Sequence, residues 1–163
     1  MQKITPLQQK LLKAIHLLAS GLWLSSVVVL LFLPIVAVRI TSGDEIYMYN
    51  VIYHFIDMYL LTPAAILTFI TGLIYSIFTK WGFFKHGWLV YKWIVTLLII
   101  VVGTFYLGPL TSDLLQIADA ERLAALQNPS YIFGQTVTMW AAVINTLLLS
   151  VALFFSVYKP WKR

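Results

Sequence analysis

A histidine inside a long apolar segment is the feature that most constrains this chain. Residues 14–38 contain one ionisable side chain, His16, among apolar and small residues. About 20 apolar residues are enough to cross a bilayer as a helix. An ionisable group within such a segment is costly to bury and commonly marks a functional site. The segment therefore predicts a transmembrane helix that carries a candidate ligand.

Three further apolar segments have spanning length. Of the 163 residues, 61% are hydrophobic and 10% are charged, whereas charged residues make up about 25% of soluble domains. Backbone groups in lipid must be paired internally, and the segments are too long for barrel strands. The sequence predicts an all-α integral membrane protein, a single domain over residues 1–163. Its antiparallel bundle has four transmembrane helices, at about 11–38, 47–79, 88–110 and 131–158.

The charges predict how the bundle is oriented. Nine of the 11 lysine and arginine residues fall on the side of the two termini. The other two, Arg39 and Arg122, fall on the opposite side together with all six acidic residues. Because cytoplasmic loops are rich in lysine and arginine, both termini are expected in the cytoplasm, most simply of a bacterial cytoplasmic membrane. The net charge of +5 is thus explained by orientation in the bilayer, and no nucleic-acid partner is expected.

One connection between predicted helices has a helical pattern of its own. After Gly108 and Pro109, residues 112–127 have Asp113 in a first turn and are closed by Asn128 and Pro129. Acidic residues favour the first turn of a helix, and proline commonly follows its end. This stretch predicts a short helix at the outer surface, between the third and fourth spans.

The residue types present exclude several kinds of chemistry. The chain has no cysteine, which excludes thiolate ligation, iron–sulfur clusters and covalent haem attachment. No pattern resembles a nucleophilic triad, a phosphate-binding loop or a pair of catalytic carboxylates. Any reaction would therefore depend on a bound cofactor, which the protein positions and tunes.

Helical spacing suggests where such a cofactor would bind. His16, Ser20 and Trp23 share one face of the first helix, since steps of three and four residues return to the same face. Lys92 lies at about the same depth in the third helix. A pocket between these helices could use the imidazole to ligate haem iron and the ammonium to hold a carboxylate. An alternative interpretation remains open, in which His16 lies at the membrane interface and Lys92 extends its ammonium group to the membrane surface. His86, in the inner loop, could reach a cofactor edge.

A second candidate site lies at the outer end of the second helix. His54, Asp57 and Met58 fall within about one helical turn and include nitrogen, oxygen and sulfur donors. This set could hold a metal such as copper, or it could be an ordinary polar helix end. Other polar residues within the spans are expected mainly to pack helices together; they are Thr62, Thr68, Thr71, Gln135, Thr138 and Asn145.

Several short motifs resemble a known family when taken in order. KAIHLLASGLW at residues 13–23, LLTPAAILTFITGL at 60–73, GWLVYK at 87–92, and YKPW at 158–161 resemble the HemJ-type membrane protoporphyrinogen oxidases. The resemblance implies haem b, with His16 as the functional histidine and Lys92 as the functional, catalytic lysine. It also implies a haem-dependent oxidoreductase that acts on a porphyrinogen. Val90 stands where the third motif of that family has a histidine.

Other functions remain open at this stage. HLLASGLW more loosely resembles CopD-type copper-resistance membrane domains, which would make copper the ligand of His54, Asp57 and Met58. A small accessory subunit of a larger membrane complex is a third reading. For a haem protein, the expected partners are the lipid bilayer, a porphyrin or haem, and a quinone or other membrane electron carrier, with a homo-oligomer as a further option.

Overall fold

The fold is known from a computed structural model that describes residues 4–79 and 82–160. Within these residues the chain is helical and forms no strand. Four helices are long and apolar enough to cross a membrane: α1 (Pro6–Ala37), α2 (Gly43–Phe78), α3 (Gly87–Gln127) and α4 (Pro129–Tyr158). The prediction of an all-α protein with four spanning helices is therefore confirmed.

Local sequence signals explain where the helices begin. The Thr5 hydroxyl accepts a hydrogen bond from the Gln8 amide at 3.3 Å, and the Gln8 side chain accepts one from the Thr5 amide at 2.8 Å. Ser42 and Glu45 form the same reciprocal cap at the start of α2. Such caps pair amide groups that the helix itself cannot satisfy. As a result, α1 and α2 start about one turn before the predicted apolar segments.

The helices pack as one antiparallel bundle. Tyr75, near the end of α2, donates a hydrogen bond to the Gln9 carbonyl near the start of α1 at 3.0 Å. Tyr91, near the start of α3, donates to the Leu148 carbonyl of α4 at 3.1 Å. We call the half that contains these two contacts the termini-side half and the opposite half the distal half. Between them all four helices meet in one core: Trp23, Val27, Ala64, Ala65, Val95, Ile99 and Leu149.

A separate surface helix after Gly108 was predicted, but α3 instead continues through this point as an α-helix to Glu121 and closes with a 3₁₀ turn, Arg122–Gln127. Residues Gly103–Leu107 form a π turn, and the Gly108 amide bonds to the Gly103 carbonyl. Pro109 follows at once, and proline has no amide hydrogen to donate. Because a π turn shifts the hydrogen-bonding register by one residue, the helix passes the proline without ending.

The second helix also passes a proline by means of a π turn. Its π turn spans Ile56–Leu61, the Thr62 amide bonds to the Asp57 carbonyl, and Pro63 follows. Residues of both π turns line one cavity, and Met58 of the first packs against Gly108, which follows the second. The consequence is a local widening of both helices at one level of the bundle.

At the distal end, the start of α2 is held against the end of α3. A Cβ atom at Gly43 would lie 2.6 Å from the Cβ of Arg122, which explains the glycine. Arg122 has a positive φ of 53°. Its guanidinium lies 4.5 Å from the Tyr47 ring centre and pairs with Asp119 at 2.8 Å. These contacts hold Arg122 in a conformation that is uncommon for residues other than glycine.

Candidate functional site

The imidazole of His16 is held against α2. Its Nδ1 lies 2.8 Å from the Thr71 hydroxyl oxygen. The ring also meets Tyr75 edge-on, with the ring centres 6.2 Å apart. Gly72 lies beside the ring, and a Cβ atom there would be at an ordinary contact distance of 3.8 Å from His16 Cε1. Thr71 and Tyr75 of α2 therefore hold the imidazole of α1.

The partners of Thr71 determine which imidazole nitrogen carries the hydrogen. The Thr71 hydroxyl lies 2.7 Å from the Leu67 carbonyl and 3.0 Å from the Thr68 carbonyl, both of which can only accept. A hydroxyl has one hydrogen to donate. When that hydrogen is directed to the helix backbone, the hydroxyl accepts a hydrogen bond from His16, and Nδ1 is then the protonated nitrogen. Nε2 then keeps its lone pair, as a metal-ligating histidine requires.

Lys92 lies close to the histidine, as the common depth in the sequence predicted. Its positive charge acts on His16, and its Nζ is 5.1 Å from the centre of the Trp88 ring. The His86 and Trp88 rings are nearly parallel, with centres 6.2 Å apart and planes 15° apart. Lys92 and His86 thus both lie beside Trp88 in the termini-side half, with Lys92 within electrostatic reach of His16.

This half is electrostatically suited to an anion. Lys92 also interacts electrostatically with the like-charged Lys159 at the end of α4. All six carboxylate side chains occur at sequence positions of the distal half. Two neighbouring ammonium groups in a half without aspartate or glutamate favour a ligand that carries carboxylates.

Two residues predicted beside His16 have other surroundings. Trp23 is 1% exposed and belongs to the bundle core, where it lines a mid-level cavity together with Asp57. His16 does not line that cavity. Ser20 donates a hydrogen bond to the Leu17 carbonyl of its own helix at 3.3 Å. The structure therefore places Lys92 within electrostatic reach of His16, places His86 beside Trp88, and places Trp23 in a different environment.

The side chains of the alternative outer site, His54, Asp57 and Met58, do not converge on one point. Asp57 accepts a hydrogen bond from the Thr111 hydroxyl at 3.2 Å, and the charge of His54 reaches this carboxylate. The Met58 methyl group packs against Gly108 of α3. Nowhere in residues 4–79 and 82–160 do three histidine, aspartate or glutamate side chains gather as a metal site would require.

The structure also contains a polar cluster that the sequence did not reveal as a unit. Asn50 is 3% exposed; its Nδ2 donates to Tyr131 at 2.8 Å, and its Oδ1 accepts from Gln135 at 3.2 Å. Tyr49 donates to Gln135 at 3.4 Å. The sequence does contain a signal for this cluster, namely amide and phenol side chains within apolar segments. Their pairing joins positions more than eighty residues apart, which helical spacing alone does not predict.

The residues around His16 include two kinds of group that a b-type haem could use. An oriented neutral imidazole supplies an axial nitrogen, and nearby ammonium groups suit the propionates. The mid-level cavity, about 60 Å³ in volume, is lined by Trp23 and not by His16. A haem ligated by His16 would therefore bind outside this cavity.

Comparisons of the chain with protein-family models, with curated proteins and with solved structures find no match. The fold and the geometry around His16 are the observations that bear on function.

Proposed function

We propose that this integral membrane protein binds haem b, with Nε2 of His16 as an axial ligand. The observation that carries the proposal is the 2.8 Å contact of His16 Nδ1 with the Thr71 hydroxyl, which itself lies 2.7 Å from the Leu67 carbonyl. A hydrogen bond from Nδ1–H to this hydroxyl would leave Nε2 with the lone pair and would orient the ring for iron ligation. When bound, a b-type haem supplies one-electron redox chemistry.

Lys92 is proposed to bind a haem propionate or to face the macrocycle. Its ammonium lies beside Trp88, within electrostatic reach of both His16 and Lys159. Charge-assisted hydrogen bonds from ammonium to carboxylate are among the stronger ones available to a protein. His86, stacked beside Trp88, would extend the same surface.

The proposed activity is that of a haem-dependent membrane oxidoreductase, on a porphyrinogen or coupled to a quinol. Its support is the resemblance of the helix-one and GWLVYK motifs to the HemJ-type oxidases. The positive-inside pattern supports a bacterial cytoplasmic membrane with both termini in the cytoplasm. In that orientation, His16 and Lys92 lie in the cytoplasmic half, where a porphyrin made in the cell could enter.

An absorption spectrum of the purified protein tests the proposal. The wild-type protein is expected to show a Soret band and a reducible b-type spectrum after purification or haem addition. His16→Ala should abolish both, because it removes the axial nitrogen. His54→Ala, on the distal half of α2, is the matched control and should keep the spectrum. A His16→Ala protein with the wild-type spectrum would contradict the ligand assignment.

A further inference from the structure

The mid-level cavity is built by all four helices and is separate from the surroundings of His16. It has a volume of about 60 Å³, which corresponds to roughly four water molecules. Most of its wall is apolar, with Val27, Leu30 and Ile99 among the lining residues. Polar groups from three helices also line it, which distinguishes it from a simple packing defect.

One of these polar groups lacks a partner. The Trp23 side chain is 1% exposed, and its Nε1 has no hydrogen-bond partner among the described residues. Leaving a buried donor unpaired costs about 1–3 kcal/mol. Trp23 therefore offers a hydrogen bond to any acceptor that enters the cavity.

A second polar group of the cavity, the Asp57 carboxylate, is a hydrogen-bond acceptor. Asp57 also lines the cavity, and Thr111 donates to only one of its carboxylate oxygens, Oδ2. The other oxygen can accept from a ligand hydroxyl. Asn145, with both a donor and an acceptor, lines the α4 side.

The two π turns shape the entrance. Asp57 and Leu61 come from the π turn of α2, and Gly103 and Thr104 from that of α3. No atom lies within 4 Å of where a Cβ on Gly103 would be. The exposed lining residues, Ile66 and Thr104, belong to α2 and α3. At this depth, an opening between α2 and α3 faces the acyl chains, so a ligand would arrive from the lipid.

We propose that this cavity binds the ring of a lipid-soluble hydroquinone. One ring hydroxyl would donate to Asp57, and the oxygen of the other would accept from Trp23 Nε1. No lysine, arginine or histidine is among the lining residues of the described chain, which disfavours an anionic lipid head group. Any oxidation of this quinol rests on the proposed function, whereas its binding does not.

Equilibrium binding to the full chain in lipid nanodiscs tests this site. The probe is tritiated decyl-1,4-hydroquinone, whose ring has no other substituent and suits the small cavity; it is kept reduced without oxygen, and empty nanodiscs correct for partition into lipid. One saturable site per chain is expected. Trp23→Phe and Asp57→Asn should each weaken binding about tenfold, the equivalent of one good hydrogen bond. The O-methylated probe, which cannot donate, should not compete.

Matched variants keep the test specific. Trp140→Phe, on the lipid-exposed face of α4, and Asp113→Asn, at the exposed distal surface, should bind as the wild type does. Gly103→Leu should abolish binding by filling the open space, with helicity checked by circular dichroism. His16→Ala should bind normally, which separates this site from the haem proposal. Uptake equal to that of empty nanodiscs, or saturable binding unchanged in both Trp23→Phe and Gly103→Leu, would overturn the inference.

Discussion

The two halves of the bundle satisfy their polar groups in different ways. In the termini-side half, His16 places Nδ1 2.8 Å from the Thr71 hydroxyl and also interacts with the Thr68 backbone, so its hydrogen-bonding partners all belong to α2. In the distal half, Asn50 bonds to its own helix and to two residues of α4, Tyr131 and Gln135. A group bonded on all sides specifies packing, whereas a group bonded on one side can still bind a ligand. The distal cluster therefore contributes to folding, whereas ligand binding is the role that we propose for the His16 region.

Thr71→Val should produce the largest change, and in the termini-side half. Valine keeps the shape of threonine but cannot accept the hydrogen bond from His16 Nδ1. Loss of such a supporting contact typically lowers metal affinity ten- to hundredfold, or by about 1.4–2.8 kcal/mol. The measurement is a haem titration of the purified protein.

Thr136→Val is the matched control for this change. Thr136 also bonds to a backbone carbonyl one turn earlier, that of Ile132 at 2.9 Å, but it is exposed on α4. Its replacement should leave haem affinity unchanged. Equal affinity in Thr71→Val and the wild type would remove the distinction between the two halves.

Asn50→Leu should have the next largest effect, on stability rather than on haem binding. The change removes three hydrogen bonds. Each hydrogen bond between helices in a membrane contributes about 0.6 kcal/mol on average. Two of the three bonds join helices, so the free energy of unfolding should fall by about 1.2 kcal/mol, measured by SDS unfolding in mixed micelles.

A double-mutant cycle of Asn50→Leu with Tyr131→Phe sharpens this prediction. The two changes should be non-additive, because both remove the same hydrogen bond at 2.8 Å. Additive losses, or a loss of the haem spectrum in Asn50→Leu, would show that the distal cluster does not act as described.

A pair of glycine substitutions should have the smallest effects, in opposite directions. Gly43→Ala should lower the free energy of unfolding by about 1 kcal/mol, because its Cβ would lie 2.6 Å from Arg122 Cβ and 3.1 Å from the Leu123 amide nitrogen. Gly72→Ala has room beside His16 and should be neutral or stabilising by about 0.5 kcal/mol. The same SDS unfolding measurement compares them, and destabilisation by Gly72→Ala alone would contradict the described packing.

The four helices were predictable because each apolar segment is long enough to cross a bilayer. The continuity of α3 was not. Gly108 and Pro109 signal a helix end in the sequence, but the π turn just before them lets the helix continue. This depends on hydrogen-bond register within the folded helix, which residue preference does not reveal.

The candidate site was predictable in part. His16 and Lys92 stood out as ionisable residues at one depth in apolar segments, and the structure places them within electrostatic reach. Thr71 was expected only to pack helices and bond to its own backbone. Its contact with His16 joins residues 55 positions apart and depends on how α1 rotates against α2. Trp23 shares a helix face with His16, but two turns separate them, and the cavity lies at the level of Trp23.

The central claim is that haem iron is ligated by Nε2 of His16, and chemical rescue tests it most directly. His16→Gly protein is titrated with haem, and its absorption spectrum is recorded before and after imidazole is added. Loss of the b-type spectrum, with recovery on imidazole addition, is the predicted result. A wild-type spectrum in His16→Gly without imidazole would contradict the claim.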